Sequence, residues 1–266
     1  MQLACAVTDT RFTVVAMAGG SLESDFRNAG YEVPNKAYLS IAGELMLVRV
    51  LRALRGSSSI GEIRCVTPAS AAAQAPEVAR LSDVLVEPGQ DLISSVLAGF
   101  TGLPAEERVI VAATDMPLLS ASAVDGFADL VTRTPCDVGY GFVERRQHDR
   151  LYPGVRHTWV RLREGTFCGG GMSVLRAGAV AQIEPVLRNF AEARKSPAKL
   201  ASLFSPALVL KVLMGQLSIT ELERRADQLT GLICRGILCR DPEVAVNVDC
   251  IGDLRTVEAL LRKTAS

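Results

Sequence analysis

The sequence is poor in histidine and has no excess of charge of either sign. Its 266 residues include 29 basic and 29 acidic side chains, so no binding surface for nucleic acid or for an anionic membrane is expected. The two histidines and seven cysteines include no C-x-x-C spacing, which makes a structural zinc site or a redox dithiol unexpected. No apolar run reaches the ~18 residues of a membrane span, and no basic segment precedes an apolar core near residue 1. We therefore expect a cytoplasmic protein without a membrane segment.

The composition that is present is typical of a folded chain with a sizeable core. Apolar residues make up 48 % of the sequence and charged residues 22 %, far from the composition of disordered chains. Only five of the 29 basic residues are lysines, and Lys36 is the one lysine before residue 195. Lysine and arginine are not interchangeable where a compact, flexible ammonium must reach a phosphate. Lys36 is therefore an informative position.

Apolar periodicity predicts alternating strands and helices in the first half of the chain. Short apolar runs typical of buried parallel strands lie at 12–17, 62–67, 83–86 and 108–113. Helical patterns lie at 41–54 and 92–100. This alternation predicts an α/β fold with a Rossmann-like, doubly wound sheet, which binds ligands at the carboxyl ends of its strands.

After Pro135 the pattern indicates a mixed sheet and a helical insertion. Strands are predicted at 137–143, 158–162, 172–175, 232–239 and 244–248, and a last helix at 254–261. Residues 178–230 form the predicted helical insertion, with helix starts at Ser196-Pro197 and at Ser218, three residues before Glu221 as in a capping box. Since no repeat or low-complexity linker divides the chain, we expect a single domain over residues 1–266.

A pair of glycines directly follows the first predicted strand. Backbone N–H groups at Gly19 and Gly20 can approach phosphate oxygens closely, and Lys36 can reach the same anion. The spacing matches neither the dinucleotide-binding G-x-G-x-x-G nor the P-loop. The residues alone leave two interpretations open: a phosphate site, or a tight turn with a solvated lysine.

Two aspartates follow later predicted strands. Asp115 comes after the strand at 108–113, in the crevice where α/β sheets bind ligands. Asp249 ends the strand predicted at 244–248, and in an extended strand it points to the same side as Asn247. Such carboxylates suit Mg²⁺, which takes one or two of them and completes its shell with water and phosphate oxygens. Capping of a turn is the alternative for Asp115, and capping of a helix is the preferred interpretation of Asp253.

Four segments taken together resemble the MobA-like NTP transferases, nucleotidyltransferases with a glycosyltransferase-A-like fold. In the family's order these segments are Met17–Gly20, Asn35–Gly43, Thr114–Leu119 and Asn247–Leu254. The resemblance implies that Lys36, Asp115 and Asp249 are catalytic, with Lys36 on the phosphates and both aspartates on Mg²⁺. The nucleotide-binding residues that it implies are Ala18, Gly19, Gly20, Lys36, Gly89 and Ser94.

The implied reaction transfers an NMP from an NTP to a small, phosphorylated acceptor and releases pyrophosphate. It depends on charge neutralisation and in-line positioning more than on a protein nucleophile. The glycine loop departs from the family pattern, because the usual arginine is replaced by Ser24 and the nearest arginine is Arg27. The alternatives are an NDP-sugar glycosyltransferase, whose usual Asp-x-Asp motif is missing around Asp115, and a non-catalytic nucleotide sensor.

Six arginines and both histidines lie between residues 145 and 163. Together with the glycines 169–171, this region borders the acceptor pocket in the fold that the resemblance implies, so Arg156, Gly169 and Gly170 are predicted to contact a phosphorylated or carboxylated acceptor. The alternatives are a solvated hairpin for the arginines and close approach of a neighbouring strand for the glycines. The sequence leaves a homo-oligomer open.

Overall fold

A computed structural model describes residues 11–193, 211 and 214–264. The strands are β1 (Phe12–Met17), β2 (Ser40–Ile41), β3 (Glu44–Leu45), β4 (Ile60–Val66), β5 (Val84–Val86), β6 (Arg108–Ala113), β7 (Val138–Glu144), β8 (Val160–Leu162), β9 (Gly165–Arg176) and β10 (Cys234–Leu238). The α-helices are α1 (Ser24–Asn28), α2 (Met46–Gly56), α3 (Ala69–Gln74), α4 (Pro76–Leu81), α5 (Leu92–Phe100), α6 (Ala121–Arg133), α7 (Arg145–Leu151), α8 (Val180–Ala193), α9 (Ile219–Thr230) and α10 (Ile251–Thr264). Short 3₁₀ helices span Lys36–Tyr38, Ala177–Ala179 and Pro242–Ala245.

The main sheet of the described residues has the strand order β5-β4-β1-β6-β9-β7-β10, and β8 pairs with β9. Strand β9 runs antiparallel to β6 and β7, while the other neighbours in this order pair in parallel. The chain leaves β1 toward β4 and β5 and then returns to its other side as β6. The carboxyl end of β1 is therefore a topological switch point, where open α/β sheets bind ligands.

Helices cover both faces of the sheet. Along β1, Val14 and Ala16 point to one face and pack with α2 and α6. Val15 points to the opposite face and packs with α5 and α8. The strand is buried on both faces, which explains why all of its residues except Thr13 are apolar. The predicted mixed, doubly wound α/β fold is confirmed.

The helix predicted at 41–54 was placed too early. Ala42 and Gly43 have positive φ angles of 50° and 82°, so they form the two-residue turn between β2 and β3. Neither conformation continues a right-handed helix, and α2 begins only at Met46. Ile41, in front of the turn, is buried in a cluster that includes Phe26 and Val246, so its apolar character does not require a helix.

The strand predicted at 244–248 was wrong. Pro242 occupies the first turn of a 3₁₀ helix that ends at Ala245, a position that suits its fixed φ. Val246 and Val248 are fully buried, and the N–H of Val248 donates to the carbonyl of Asp115 rather than to a sheet neighbour. The apolar pattern therefore indicates burial alone, and a buried irregular segment shows the same pattern as a buried strand.

The region predicted as an insertion lies only partly within the described residues. It contains α8 and α9, and α9 begins with the predicted capping box between Ser218 and Glu221. The predicted helix start at Ser196-Pro197 lies outside the described residues. The strand predicted at 172–175 extends further back, because β9 begins at Gly165. Among the described helices, none combines the length and apolar character of a membrane span.

The packing of α5 on the sheet gives a prediction about Gly99. A Cβ at this position would lie 2.5 Å from Cγ1 of Val15, so we expect Gly99→Ala to lower the free energy of unfolding by about 1–3 kcal/mol. Gly126→Ala in α6 is the matched control, because its Cβ would meet only the end of the Asp241 side chain. Alanine's helix propensity should keep the control within about 1 kcal/mol of the wild type. Urea denaturation measures both, and equal effects would contradict the close packing of α5.

Candidate active site

The ammonium of Lys36 lies between two carboxylates at the switch point of the sheet. Its Nζ is 2.6 Å from Oδ2 of Asp115 and 2.6 Å from Oδ1 of Asp249. A third carboxylate, that of Glu23, lies 3.6 Å away. The structure thus brings together the three residues that the sequence predicts as catalytic, from positions as much as 213 residues apart.

Asn35 fixes the position of Lys36. It is buried, and its side-chain amide donates a hydrogen bond of 2.8 Å to the carbonyl of Ala18, just beyond β1. Its side-chain oxygen accepts from the N–H of Ala37 and so caps the 3₁₀ helix that contains Lys36. One amide therefore joins the lysine segment to the end of the central strand.

Side chains of neighbouring residues also position the two aspartates. The hydroxyl of Thr114 donates to the carbonyl of Met17 at 2.7 Å, which joins the ends of β6 and β1. The amide of Asn247 donates to Oδ1 of Asp115 at 2.9 Å. Asp253 accepts from the N–H groups of Asp249 and Cys250. The predicted helix start is confirmed, but α10 begins at Ile251, so Asp253 lies in its first turn rather than at the N-cap position.

Asp115 and Asp249 differ in exposure, and this difference matters for ligand access. The side chain of Asp115 is 11 % exposed, whereas that of Asp249 is 72 % exposed. Burial alone would lower the pKa of Lys36, but attraction and hydrogen bonding by the two aspartates outweigh it and raise the pKa. Lys36 is consequently a permanent cation at neutral pH, held within reach of solvent on the Asp249 side.

The glycine turn after β1 meets the loop before α5. Gly20 has φ of 90°, a conformation that favours glycine, and it is exposed. A Cβ on Gly19 would lie 2.9 Å from Cβ of Pro88, so Gly19 allows the loop that contains Gly89 to approach. The predicted nucleotide-binding residues of these two segments are therefore neighbours.

Ser94 has a local role at the start of α5. Its hydroxyl and its N–H form a capping box with Asp91. Asp91 also pairs with Arg188 of α8, at 2.9 Å. Because α8 belongs to the predicted insertion, this ion pair links the insertion to the loop beside the glycine turn.

The predicted acceptor residues fall into two groups. Arg156 is exposed, and its Nη2 lies 3.8 Å from Sγ of Cys250, next to Asp249. A Cβ at Gly169 would clash with Tyr140, and one at Gly170 would lie 3.2 Å from the carbonyl of Val244. Close packing with neighbouring segments thus accounts for these glycines, and their contact with an acceptor stays a prediction.

Both histidines lie in one cluster near Arg156. His148 on α7 is fully buried, and its Nε2 is 2.8 Å from Nε2 of His157. The rings of both pack edge-on against Trp159. The guanidinium of Arg145 lies over Trp159, 5.4 Å from the ring centroid, and its Nε donates to Asp149. The two histidines and Trp159 are thus packed together, while all six arginines of the segment are exposed, as the alternative of a solvated segment predicts.

Burial lowers the pKa of both histidines. For His157 the proximity of His148 lowers it further, and the attraction of Asp253, Asp149 and Asp249 only partly compensates, so the pKa falls to about 4. The pKa of His148 is lowered by burial despite its hydrogen bond to Asp149. Both rings are therefore neutral at pH 7.

Two contributors to the site were missed by sequence reasoning. Glu23 approaches Lys36 from the loop between β1 and the lysine, where a polar residue carries no distinctive signal. Asn35 was noted only as the neighbour of Lys36, although it is the buried residue that positions it. An asparagine directly before a lone lysine was the available signal, since asparagine often caps the turn that follows it.

One family model matches more than half of the chain. The model of the MobA-like NTP transferase domain matches residues 15–193. No curated protein sequence matches the chain significantly. A hypothetical transferase structure from Thermus thermophilus is 28 % identical, with a TM-score of 0.79, and the match covers 92 % of this chain and 99 % of that one.

Two more distant structures share the fold. A nucleotidyl transferase from Methanothermobacter thermautotrophicus is 16 % identical with a TM-score of 0.58, and the match covers 96 % of this chain and 99 % of that one. A CMP:2-keto-3-deoxy-manno-octonic acid synthetase in complex with CTP is 15 % identical with a TM-score of 0.58, covering 95 % and 99 %. At these identities the likeness concerns the fold.

The histidine cluster predicts how stability depends on pH. Since the pKa of His157 is about 4 in the folded chain and about 6.5 in an unfolded one, the unfolded state binds protons more strongly between these values. We expect stability to fall as the pH is lowered from 7 to 5, and His157→Gln to reduce this fall. Thermal unfolding at pH 7 and at pH 5 measures this fall in stability. Arg163→Gln is the control variant. Equal slopes in His157→Gln and the wild type would contradict a neutral, buried pair.

Proposed function

The chain belongs to the MobA-like NTP transferase family, and we propose that it transfers a nucleoside monophosphate from an NTP to a small, phosphorylated acceptor with release of pyrophosphate. An acceptor oxygen forms a bond to the α-phosphorus while the bond from this phosphorus to the bridging oxygen of the β-phosphate breaks. The bridging oxygen leaves with pyrophosphate. A phosphate acceptor enters as an anion, so this reaction needs no protein base.

The observation that carries the proposal is the position of Lys36 between Asp115 and Asp249 at the end of β1. Charge moves from the acceptor to pyrophosphate in this reaction, so a fixed cation at the phosphates stabilises the transition state. The ammonium has three N–H donors and a flexible stem, and it can therefore exchange a carboxylate for a phosphate oxygen. Gly19 and Gly20 contribute backbone N–H groups at the same end of the strand.

The two aspartates fit a magnesium ion. Nζ of Lys36 lies 2.6 Å from an oxygen of each carboxylate, so a single cation can contact both carboxylates. Oxygen is the donor that Mg²⁺ prefers, and two carboxylates leave coordination positions for phosphate oxygens and water. When bound with the nucleotide, Mg²⁺ would neutralise phosphate charge and orient the phosphates. Asp115 and Asp249 would hold it, and Asn247 orients Asp115.

The remaining predicted residues have roles that follow from where they lie. Ala18 positions Asn35 through its carbonyl, and the loop with Gly89 packs beside the glycine turn. Ser94 caps α5, so we propose that it shapes this loop next to the nucleotide. The CTP complex of one structural neighbour supports a nucleoside triphosphate as the ligand.

Pyrophosphate release tests the proposed reaction. Purified protein is assayed with Mg²⁺, each of the four NTPs and a panel of phosphorylated acceptors. We expect Lys36→Met and Asp115→Asn each to lower kcat by about 10²–10³-fold, because each removes a charge placed at the phosphates. Lys263→Met, an exposed lysine on α10, is the matched control. Transfer from an NDP-sugar without pyrophosphate release, or tight NTP binding without turnover for any acceptor, would contradict the proposal.

A second prediction concerns the metal in the absence of nucleotide. Lys36 already neutralises the two carboxylates that are proposed to hold Mg²⁺, so it competes with a free divalent cation. Lys36→Met should therefore bind Mn²⁺, used as a spectroscopic probe, roughly tenfold more tightly than the wild type. Electron paramagnetic resonance of free Mn²⁺ measures this without any turnover, with Lys263→Met again as the control. Equal Mn²⁺ affinity in Lys36→Met and wild type would contradict a shared site for the ammonium and the metal.

A further inference from the structure

A cavity of about 540 Å³ adjoins the candidate active site. Its lining includes Arg145, Asp149, Arg156, His157 and Trp159. Arg156 also contacts Cys250, the residue after Asp249, so one lining residue lies beside the segment that contains a proposed metal ligand. A volume of this size is typical of small-molecule pockets, roughly 300–1,000 Å³.

The charges in the cavity do not cancel. The Nε of Arg145 is 3.0 Å from Oδ2 of Asp149, so these two form an ion pair. Among the residues that the structure describes, no carboxylate forms an ion pair with Arg156, which donates a hydrogen bond to the thiol of Cys250. The lining has two guanidiniums and one carboxylate, and both histidines are neutral, so the lining residues carry an excess of one positive charge. A guanidinium binds phosphate or carboxylate through two parallel hydrogen bonds.

The aromatic part of the lining is held rigidly. An ionised aspartate only accepts hydrogen bonds, so the contact between Asp149 and Nδ1 of His148 places the proton on that nitrogen. Nε2 of His148 then accepts from the Nε2–H of His157. His157 is thereby fixed in orientation, and its ring packs edge-on against Trp159 with centroids 5.3 Å apart. Fixed aromatic rings suit a flat ligand, because stacking and edge contacts then need little reordering.

We propose that this cavity binds the acceptor, and that the acceptor is a small molecule whose phosphate or carboxylate pairs with Arg156 while a flat ring contacts Trp159 and His157. The inference rests on the proposed function, since an acceptor there lies beside the segment that contains Asp249. The proposed substrate class is a planar anion, which Arg156, Trp159 and His157 recognise.

Trp159 is the only tryptophan in the sequence, so its fluorescence reports on the cavity alone. Phenyl phosphate, benzoate and phenol are titrated into the wild type without NTP or metal. We expect saturable changes in emission with the two anions, the tighter one identifying the charged group, and binding of phenol weaker by about tenfold or more. Phenol binding as tightly as both anions, or no saturable change with any probe, would overturn the proposal.

Variants of Arg156 test the recognition of the anion. Arg156→Gln should weaken phenyl phosphate binding by about tenfold or more. Arg156→Lys should bind with intermediate affinity, because lysine keeps the charge but lacks the two parallel N–H donors of the guanidinium. Arg163→Gln, an exposed arginine outside the lining, is the matched control and should bind like the wild type. Thermal unfolding confirms that the variants fold. Wild-type affinity in Arg156→Gln would overturn the assignment.

The steady-state kinetics separate this inference from the proposed function. In pyrophosphate-release assays, Arg156→Gln should raise the KM for the acceptor and leave the KM for the NTP unchanged. Transfer with an unchanged acceptor KM would overturn the cavity assignment while the proposed function stands. Probe binding at Trp159 without transfer to any acceptor would contradict the proposed function while confirming the cavity as a site for planar anions.

Discussion

The contact of one ammonium group with two carboxylates is the interaction on which the candidate active site depends. Lys36, Asp115 and Asp249 come from three distant parts of the chain and meet where β1 ends. An exposed ion pair contributes little to stability, but Asp115 is only 11 % exposed and the lysine is half-buried, so solvent screens this contact less. Without the ammonium, two carboxylates would face each other, and like charges at this separation repel. The ammonium of Lys36 therefore offsets the repulsion between the two carboxylates and allows them to lie close together.

Neutral residues hold Lys36 and Asp115 in place. Asn35 and Thr114 each donate to a backbone carbonyl at the end of β1, and Asn247 donates to Asp115. Such hydrogen bonds have a direction, whereas attraction between charges does not. The neutral residues thus determine where the charges lie, and the charges remain available to a ligand. The close approach of Gly19 to Pro88 extends the same arrangement to the loop before α5.

The sequence predicted the parts of the structure that depend on local pattern. The buried strands β1 and β6 were predicted with their observed bounds, because a strand covered on both faces leaves an unbroken apolar run. The segment 244–248 was predicted as a strand for the same reason, yet its valines are buried without pairing in a sheet. The start of α2 was predicted too early because the turn at Ala42 and Gly43, which precedes the helix, does not interrupt the apolar periodicity. Glu23 and the burial of His148 depend on tertiary contacts, which no local pattern contains.

The long separation between Lys36 and Asp249 has a consequence for the order in which the molecule is built. The two residues are 213 positions apart, so an emerging chain has Lys36 and Asp115 long before it has the second aspartate. Synthesis starts at the amino terminus, so the strands β1, β4 and β6, which pair with one another in the folded protein, are complete before the segment with Asp249 is made. Until the C-terminal segment docks, the lysine has one close aspartate instead of two, and the first carboxylate lacks its Asn247 partner. The segment that contains Asp249 therefore completes the charge arrangement, and the three charged groups meet only after this segment docks on strands that were made before it.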